Sequence, residues 1–419
     1  MHVVERFAAW AAAWRSQPVP QEVAHHARRA VIDWHAALMP GSVVAPVTLL
    51  KKALSDASDP RTMALINGSA AHTVEVDDIY RDGIYHPGAP TIAAAHALGF
   101  DRPNFLRAVI VGYEISTRIG ALMGRAHYKY WHNTGTIGCF GASAAAAEIL
   151  GLAEKQFAHA LATVTTFAAG LQQAFRMDSM SKPLHAGRAA EAGVTAALAA
   201  REGVTGSLDV LEGEAGFGRA MGDNPDWEKA LAGLGRDFHI TRMTFKNHAC
   251  CGHTFAAIDG ALALQQKLKL KSEDIERVDV GTYRAGVEVA HYARPQTAAE
   301  ARFSMKYVVA TALTHGSVRL AAFESQRLNE PKTRALMERV SVSLDAQLDA
   351  TFPRQRAARV AITARGRREE LLQPTRKGDP DMPLSDAELE DKFMELASPV
   401  IGSGEAKALL ARLWKLECA

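Results

Sequence analysis

A chain of 419 residues exceeds what one ordinary hydrophobic core accommodates, so two domains are expected. Apolar residues make up 48% and charged residues 22%, a globular composition far from the disordered regime. The net charge of +2, with no long run of one sign, argues against nucleic acid or an anionic membrane as a partner.

The N-terminal stretch MHVVERFAAWAAAWRSQ carries Glu5 and Arg6 inside its apolar part, unlike a secretory leader. PQEVAHHARRAVIDWHAALM opens with Pro20 where a first helical turn tolerates proline, and sets Val23, Ala27, Ala30, Val31 and Trp34 on one face. RPNFLRAVIVGYEISTRIGALMG and EKQFAHALATVTTFAAGLQQAF read as further helices, the second nearly free of charge and therefore expected to be buried on most sides. The uncharged run Asn133 to Ala147 is too short and too rich in small residues to span a bilayer. From about residue 240 the texture changes. IERVDVGTY, VSVSLDAQL and ARVAITARG cluster β-branched residues, and RGRREELLQ is placed to return antiparallel to the last. Helical patterns lie between them in HTFAAIDGALALQQKL, AEARFSMKYVVATALTHG and PKTRALMERV. After the polar stretch QPTRKGDPDMPLSD, Ser385 is placed to cap a helix over DAELEDKFMELA. The expected fold is mainly α. A large all-helical domain, from residues 1–240 and 376–419, carries an inserted α+β domain at 241–375.

The four cysteines, Cys139, Cys250, Cys251 and Cys418, form no CxxC pair, so no disulfide framework is indicated and a reducing cytoplasm fits. Cys250 and Cys251 read as buried packing, since free cysteine is usually a small hydrophobe. Polar residues concentrate against apolar surroundings in four places. HTVEVDDIYRDGIYHPGAP holds His72, Glu75, Asp77, Asp78 and His86; YWHNTGTIG holds His132. SMSKPLHAGRAAEAG holds Lys182, His185 and Arg188; TFKNHACCGHTFAAIDG holds Lys246, His248 and His253.

His86, His132 and Lys182 each stand just before an expected helix start, where unpaired N–H groups and a partial positive charge suit an anion. If these ends converge, they make a pocket for a small polycarboxylate. Each residue also has a bland reading. His72 at helical spacing from Glu75 is more often a surface pair, His185 and Arg188 could decorate a helix, and Asp77-Asp78 could end one in solvent. His72, Asp77 and His86 are metal-ligand types, and a metal-dependent hydrolase is the third alternative. No HExxH, paired-cysteine or EF-hand spacing supports a metal, and no phosphate-binding glycine loop is present.

Taken together, NGSAAHTVEVDDIYRDGIYHPGAP, GYEISTRIG, WHNTGTIGCFGASAAAAEILGL, SKPLHAGRAAEAGVTAALAAREGVTG, FKNHACCGHTFAAIDG, ARFSMKYVVA and GDPDMPLSDAELEDKF resemble the MmgE/PrpD family over nearly the whole chain. That family includes 2-methylcitrate dehydratase, cis-aconitate decarboxylase and iminodisuccinate epimerase. The resemblance implies a helical domain with an inserted α+β lid, an active site between them, a homodimer, and no metal or organic cofactor. It implies functional roles for the acids Glu75 to Asp78, His86, His132, Lys182 and, in the lid, Tyr307. Two departures stand out. EVDDI replaces the DFDDT of the decarboxylase-like members, and Phe255 stands where the family pattern C-C-x-x-T-H has histidine. His253 lies two residues before it.

The expected activity is that of a cofactor-independent lyase or isomerase abstracting an α-proton from a small di- or tricarboxylate. Hydration and dehydration of the 2-methylcitrate type come first. Epimerisation of an iminodisuccinate-like compound or decarboxylation of cis-aconitate is the alternative, and a non-catalytic binding protein the remoter one. His132 and His86 are assigned proton transfer, Lys182 the anchoring of carboxylate, and Glu75, Asp77 and Asp78 orientation. Lys246, His253, Tyr307, Arg188 and His185 are assigned to substrate binding.

Overall fold

In the computed structural model, which describes residues 1–55, 58–175 and 179–418, the chain divides into two units. One comprises Met1–Thr244 with Ser385–Ala419, the other Phe245–Leu384. Among the described residues of the first unit, the regular elements are helical. Their starts follow from local chemistry. Pro20 precedes the helix Gln21–Gly41, and Asp59 caps Pro60–Thr73 by accepting from the N–H groups of Arg61 and Thr62 at 3.1 and 3.3 Å. Ser385 and Glu388 form a capping box at the start of Asp386–Ile401.

The core of this unit is built around helices with almost no charge. Every residue of Gly138–Ile149 is buried, and Gly88–Gly99 is buried over its first two turns. Val23, Ala27, Ala30, Val31 and Trp34 all lie inward on Gln21–Gly41, as their spacing requires. Small residues set how closely the helices meet. Pro60–Thr73 crosses Ser181–Arg201 at Gly68 and Gly187, where a Cβ on Gly68 would lie 3.0 Å from the Gly187 Cα. A Cβ on Gly187 would run into Ser69 Oγ and the Leu65 carbonyl. Replacing Gly187 by alanine is therefore expected to destabilise the protein by roughly 1–3 kcal/mol, the usual cost of overpacking, read from a denaturant midpoint.

One sequence expectation fails here. The helix expected from Glu154 through Phe175 stops at Thr165. Trp131 pairs with Leu171 as an isolated bridge, and Gly170 holds φ at +132°. Tertiary pairing and a glycine-only backbone override the helical pattern there.

The second unit contains a four-stranded sheet in the order β2-β1-β3-β4. Its strands are β1 (Ile275–Thr282), β2 (Val340–Leu344), β3 (Ala358–Ala364) and β4 (Arg367–Gln373). β1 runs parallel to β2, with Val278 beside Val340, and antiparallel to β3. β3 and β4 form a hairpin whose two turn residues, Arg365 and Gly366, both have positive φ (52° and 71°), the geometry that matches strand twist. Helix Phe255–Leu268 meets β3 at Gly260, where a Cβ would lie 3.1 Å from Val360 Cγ2.

Two segments differ from the sequence reading. VSVSLDAQL is a strand only to Leu344, because Asp345 caps a short helix, Ala346–Thr351. The helix expected over 299–316 breaks before Met305, where the Ser304 side chain accepts from the Tyr307 N–H at 3.2 Å and starts a new one. The polar stretch ahead of Leu384 packs within this second unit: Phe245 N–H donates to the Gly378 carbonyl at 3.0 Å, and Lys377 N–H to Asp259 at 2.8 Å. No described helix is long and apolar enough to cross a membrane.

Candidate active site

Helix Pro60–Thr73 ends by delivering His72 into the interior of the first unit, fully buried. The chain then turns sharply, with Glu75 at a positive φ of 61°, a strained conformation for a non-glycine residue. This turn aims Asp77 back at His72, whose Nδ1 lies 2.7 Å from Asp77 Oδ2. His86, just ahead of helix Gly88–Gly99, places its Nδ1 3.2 Å from the same oxygen. One carboxylate thus serves two imidazoles. The His72 and His86 rings meet edge to face at 4.6 Å, and His132 stacks on His72 at 5.4 Å.

His132 is fixed from several sides. Its N–H donates to the Gly170 carbonyl at 2.9 Å, and its Nδ1 lies 3.0 Å from His185 Nδ1. The next residues stitch the His86 loop in place. Asn133 Nδ2 donates to the Gly83 carbonyl at 2.7 Å, and Thr134 Oγ1 accepts from His86 N–H at 3.2 Å. Lys182 and His185 share the first turn of helix Ser181–Arg201, so both project toward this cluster, and Lys182 forms an ion pair with Glu75. The Gly68–Gly187 crossing, two residues beyond His185, lets the end of one helix lie against the start of the other.

The adjacent aspartates differ in state. Burial alone would raise Asp77, but its interactions and hydrogen bonds with His86 and His72 overcome it and hold Asp77 ionised, well below the usual carboxylate range. Asp78 points elsewhere, accepting from Tyr113 OH at 2.7 Å and Gly88 N–H at 3.0 Å. Burial, reinforced by the charges of Asp33 and Asp77, pushes it up to about 8. The carboxylate that orients the histidines is Asp77; Asp78 braces the start of helix Gly88–Gly99. Burial first, then the neighbouring His72, Lys182, His185 and His86, holds His132 well below its ordinary value and hence neutral. His185 is pushed down to about 4, by burial and then by His72 and Lys182.

The loop itself has an anchor the sequence reading did not single out. Lys392, on helix Asp386–Ile401, donates to Asp33 Oδ1 at 2.6 Å and to the Val76 carbonyl at 2.7 Å, with both side chains fully buried.

The structure therefore gathers His86, His132, Lys182, His185, Glu75 and Asp77, with Asp78 one layer behind. It adds His72, weighed from sequence as a surface pair with Glu75 or a metal ligand. The signal lay in its neighbours: NGSAAHTV surrounds the histidine with residues small enough for close helix packing, which leaves little room for a solvated face. Arg188 stands apart, exposed and paired with Glu191 at 2.7 Å on the surface. The helix N-termini contribute less than expected. The Gly88 N–H is taken by Asp78, the helix after His132 spans only Asn133–Thr136, and Lys182 lies inside its helix rather than before it.

In the second unit, Lys246 is buried. His253 directs Nδ1 at Tyr283 OH (2.9 Å) and is held well below its usual value by burial, then Arg356 and Arg376. The Tyr307 hydroxyl donates to the Ala322 carbonyl at 2.5 Å, deep among apolar residues. Phe255 is fully buried against the His248 ring at 5.2 Å. His253 and Tyr307 thus each make a hydrogen bond within their own unit.

His72, Asp77 and His86 also offer one ligand atom each within 4.8 Å, a set able to hold a cation. The 2.7 Å separation of His72 Nδ1 from Asp77 is that of a proton shared by hydrogen bonding, shorter than the spacing of two ligands about a tetrahedral metal at roughly 2.0–2.1 Å.

Residues 5–230 match the MmgE/PrpD N-terminal domain and residues 248–416 the MmgE/PrpD C-terminal domain. The chain is 26% identical to a cis-aconitate decarboxylase-like protein, oryM, of Aspergillus oryzae, over 97% of this chain and 93% of that one. It is 28% identical to human cis-aconitate decarboxylase over 85% of this chain and 77% of that one. With the cis-aconitate decarboxylase of Aspergillus terreus the identity is 23%, over 84% and 80% respectively.

Proposed function

This chain belongs to the MmgE/PrpD family and is an enzyme of its lyase type, and from that premise we propose that it makes and quenches a carbanion next to a carboxylate of a small di- or tricarboxylate. One observation carries the reading: two imidazoles of opposite character share one buried cluster. His86 is backed by the ionised Asp77, which favours its protonated form as a proton donor. His132 is held neutral beside Lys182 and suits a base. Environments that drive two similar groups apart are how a site divides acid from base.

The substrate of first choice is an unsaturated tricarboxylate of the cis-aconitate type, because the curated relatives that match along most of the chain are cis-aconitate decarboxylases. The bond to the departing carboxylate breaks, its electron pair stays on carbon as carbon dioxide leaves, and the pair spreads into the conjugated carboxylate. Lys182 steadies that charge, and His86 gives its proton to carbon. The electron sink is the substrate's own carboxylate.

A second reading keeps the same groups. In dehydration of the 2-methylcitrate type, His132 would take the α-proton while His86 protonates the leaving hydroxyl. The EVDDI stretch favours it, since Glu75 and Ile79 stand where decarboxylase-like members carry Asp and Thr. A cytoplasmic homodimer remains part of the proposal, to be checked by sedimentation.

The test is proton NMR in heavy water with cis-aconitate, 2-methylcitrate, citrate and iminodisuccinate. Consumption of cis-aconitate, with carbon dioxide released and one solvent deuteron in the product, is expected. Alkene formation from methylcitrate alone would establish the second reading; no reaction with any of them overturns both. Lys182→Ala should lower kcat by about 10²–10³-fold, the loss seen when one stabiliser of developing charge is removed. Chelator should leave turnover intact, and a loss would restore the cation reading of His72, Asp77 and His86.

A further inference from the structure

One polar contact of the His132 ring is another histidine. Nδ1 of His132 and Nδ1 of His185 lie 3.0 Å apart, a distance at which one nitrogen must carry the proton and the other must accept it. His132 is buried, whereas His185 is half-buried. The wetter ring is the one that can keep its proton on Nε2, the tautomer a neutral imidazole prefers in water. His185 Nδ1 is then the acceptor, and the shared proton resides on His132.

We propose that His185 is a positioning residue that fixes His132 as the Nδ1–H tautomer, leaving His132 Nε2 as the basic nitrogen. Which nitrogen of a histidine reacts is set by the hydrogen bond the other one makes. When Nε2 takes a proton, the hydrogen bond to His185 becomes charge-assisted and strengthens, so the same contact supports the imidazolium.

The pairing is built into the backbone. Gly170 sits behind both rings: a Cβ there would lie 3.1 Å from His185 Nδ1 and 3.6 Å from His132 Cβ. Its φ of +132° excludes other residues in any case, and its carbonyl accepts the His132 N–H at 2.9 Å. A Cβ on Gly135 would in turn lie 3.2 Å from His185 Cβ. Glycine on two sides leaves His185 a slot against His132, and its helix fixes the depth, since Lys182 one turn earlier is tied to Glu75.

This inference rests on the proposed role of His132 as base, but its test is separable from it. Nitrogen NMR of the full chain carrying isotope-labelled histidine, with His132 assigned from the His132→Gln spectrum, reads the tautomer directly. Wild type should show His132 protonated at Nδ1 and bare at Nε2. His185→Leu removes the acceptor, and His132 should move toward the Nε2–H form while turnover through α-proton abstraction, the step assigned to His132, falls on the order of a hundredfold, the low end of what a positioned base contributes. His185→Gln, whose amide oxygen can accept, should restore the tautomer and most of the lost turnover. Wild-type His132 found as Nε2–H, or a tautomer unmoved in His185→Leu, overturns the inference; the wild-type spectrum decides even if the leucine variant does not fold. The expected tautomers together with no turnover of any polycarboxylate would support this contact and overturn the proposed function instead.

Discussion

Asp77→Asn should lower kcat by about 10³–10⁴-fold while leaving the fold intact, the scale of loss when a carboxylate that sets an imidazole's tautomer becomes an amide. Asparagine has the same shape, so packing around the buried site need not change. The chemistry does. Asp77 Oδ2 takes the Nδ1 of His72 at 2.7 Å and faces that of His86 at 3.2 Å. An amide oxygen is a weaker acceptor, and its NH₂ group demands a lone pair from whichever ring it meets. One imidazole must then turn over or change tautomer, and the negative charge that favours a protonated His86 is gone. Steady-state rates with cis-aconitate, beside circular dichroism to confirm folding, measure it.

Asp78→Asn is the control next door, expected to lose far less. Asp78 is held up to about 8, so at neutral pH it is already mostly uncharged. The sign of its effect on stability follows. The unfolded chain gives up this proton near the ordinary carboxylate value, and the folded chain keeps it to about 8. Between those limits the folded state binds more protons, so Asp78 contributes stability at low pH that is lost as pH rises toward 8. Asp78→Asn should flatten that decline in a thermal-melt series.

Much of this arrangement could be read in the chain, for identifiable reasons. The helical class showed because apolar spacing in Gln21–Gly41 and Phe255–Leu268 is set by burial, and burial is what sequence periodicity records. The hairpin of β3 and β4 showed because two alternating runs flank a glycine turn. The helix expected through residue 175 failed because its second half is ruled by the Trp131–Leu171 bridge and by a φ only glycine adopts, and neither leaves a periodic trace. The site divides the same way. His86, His132 and Lys182 announce themselves by chemistry at a helix start. His72 does not, because its meaning depends on Asp77 folding back over it through a strained Glu75. Tyr307 and His253 carry chemistry in their side chains, and each hydrogen-bonds to a partner, Ala322 or Tyr283, that no sequence pattern names.

Lys392 is a case no motif would flag, and it leads to the second large effect. Lys392→Met should destabilise the protein by about 3–5 kcal/mol, the range for breaking a buried ion pair from one side. The ammonium sits between Asp33 Oδ1 at 2.6 Å and the Val76 carbonyl at 2.7 Å. Methionine fills a similar volume, so the loss is electrostatic: the Asp33 carboxylate stays buried without this cation. Adding Asp33→Asn removes the stranded charge and should recover much of the stability, since replacing both partners costs far less than removing one. Activity should behave differently. The Val76 carbonyl precedes Asp77, so the lysine also holds the turn that aims Asp77 at its two histidines. Neither methionine nor asparagine restores that tie, and the double variant should regain its denaturant midpoint while its kcat stays low. If kcat recovered along with stability, the C-terminal helix would be only a brace for the fold. If stability alone returns, Lys392 is how a residue more than three hundred positions away in sequence fixes the geometry of the acid–base pair.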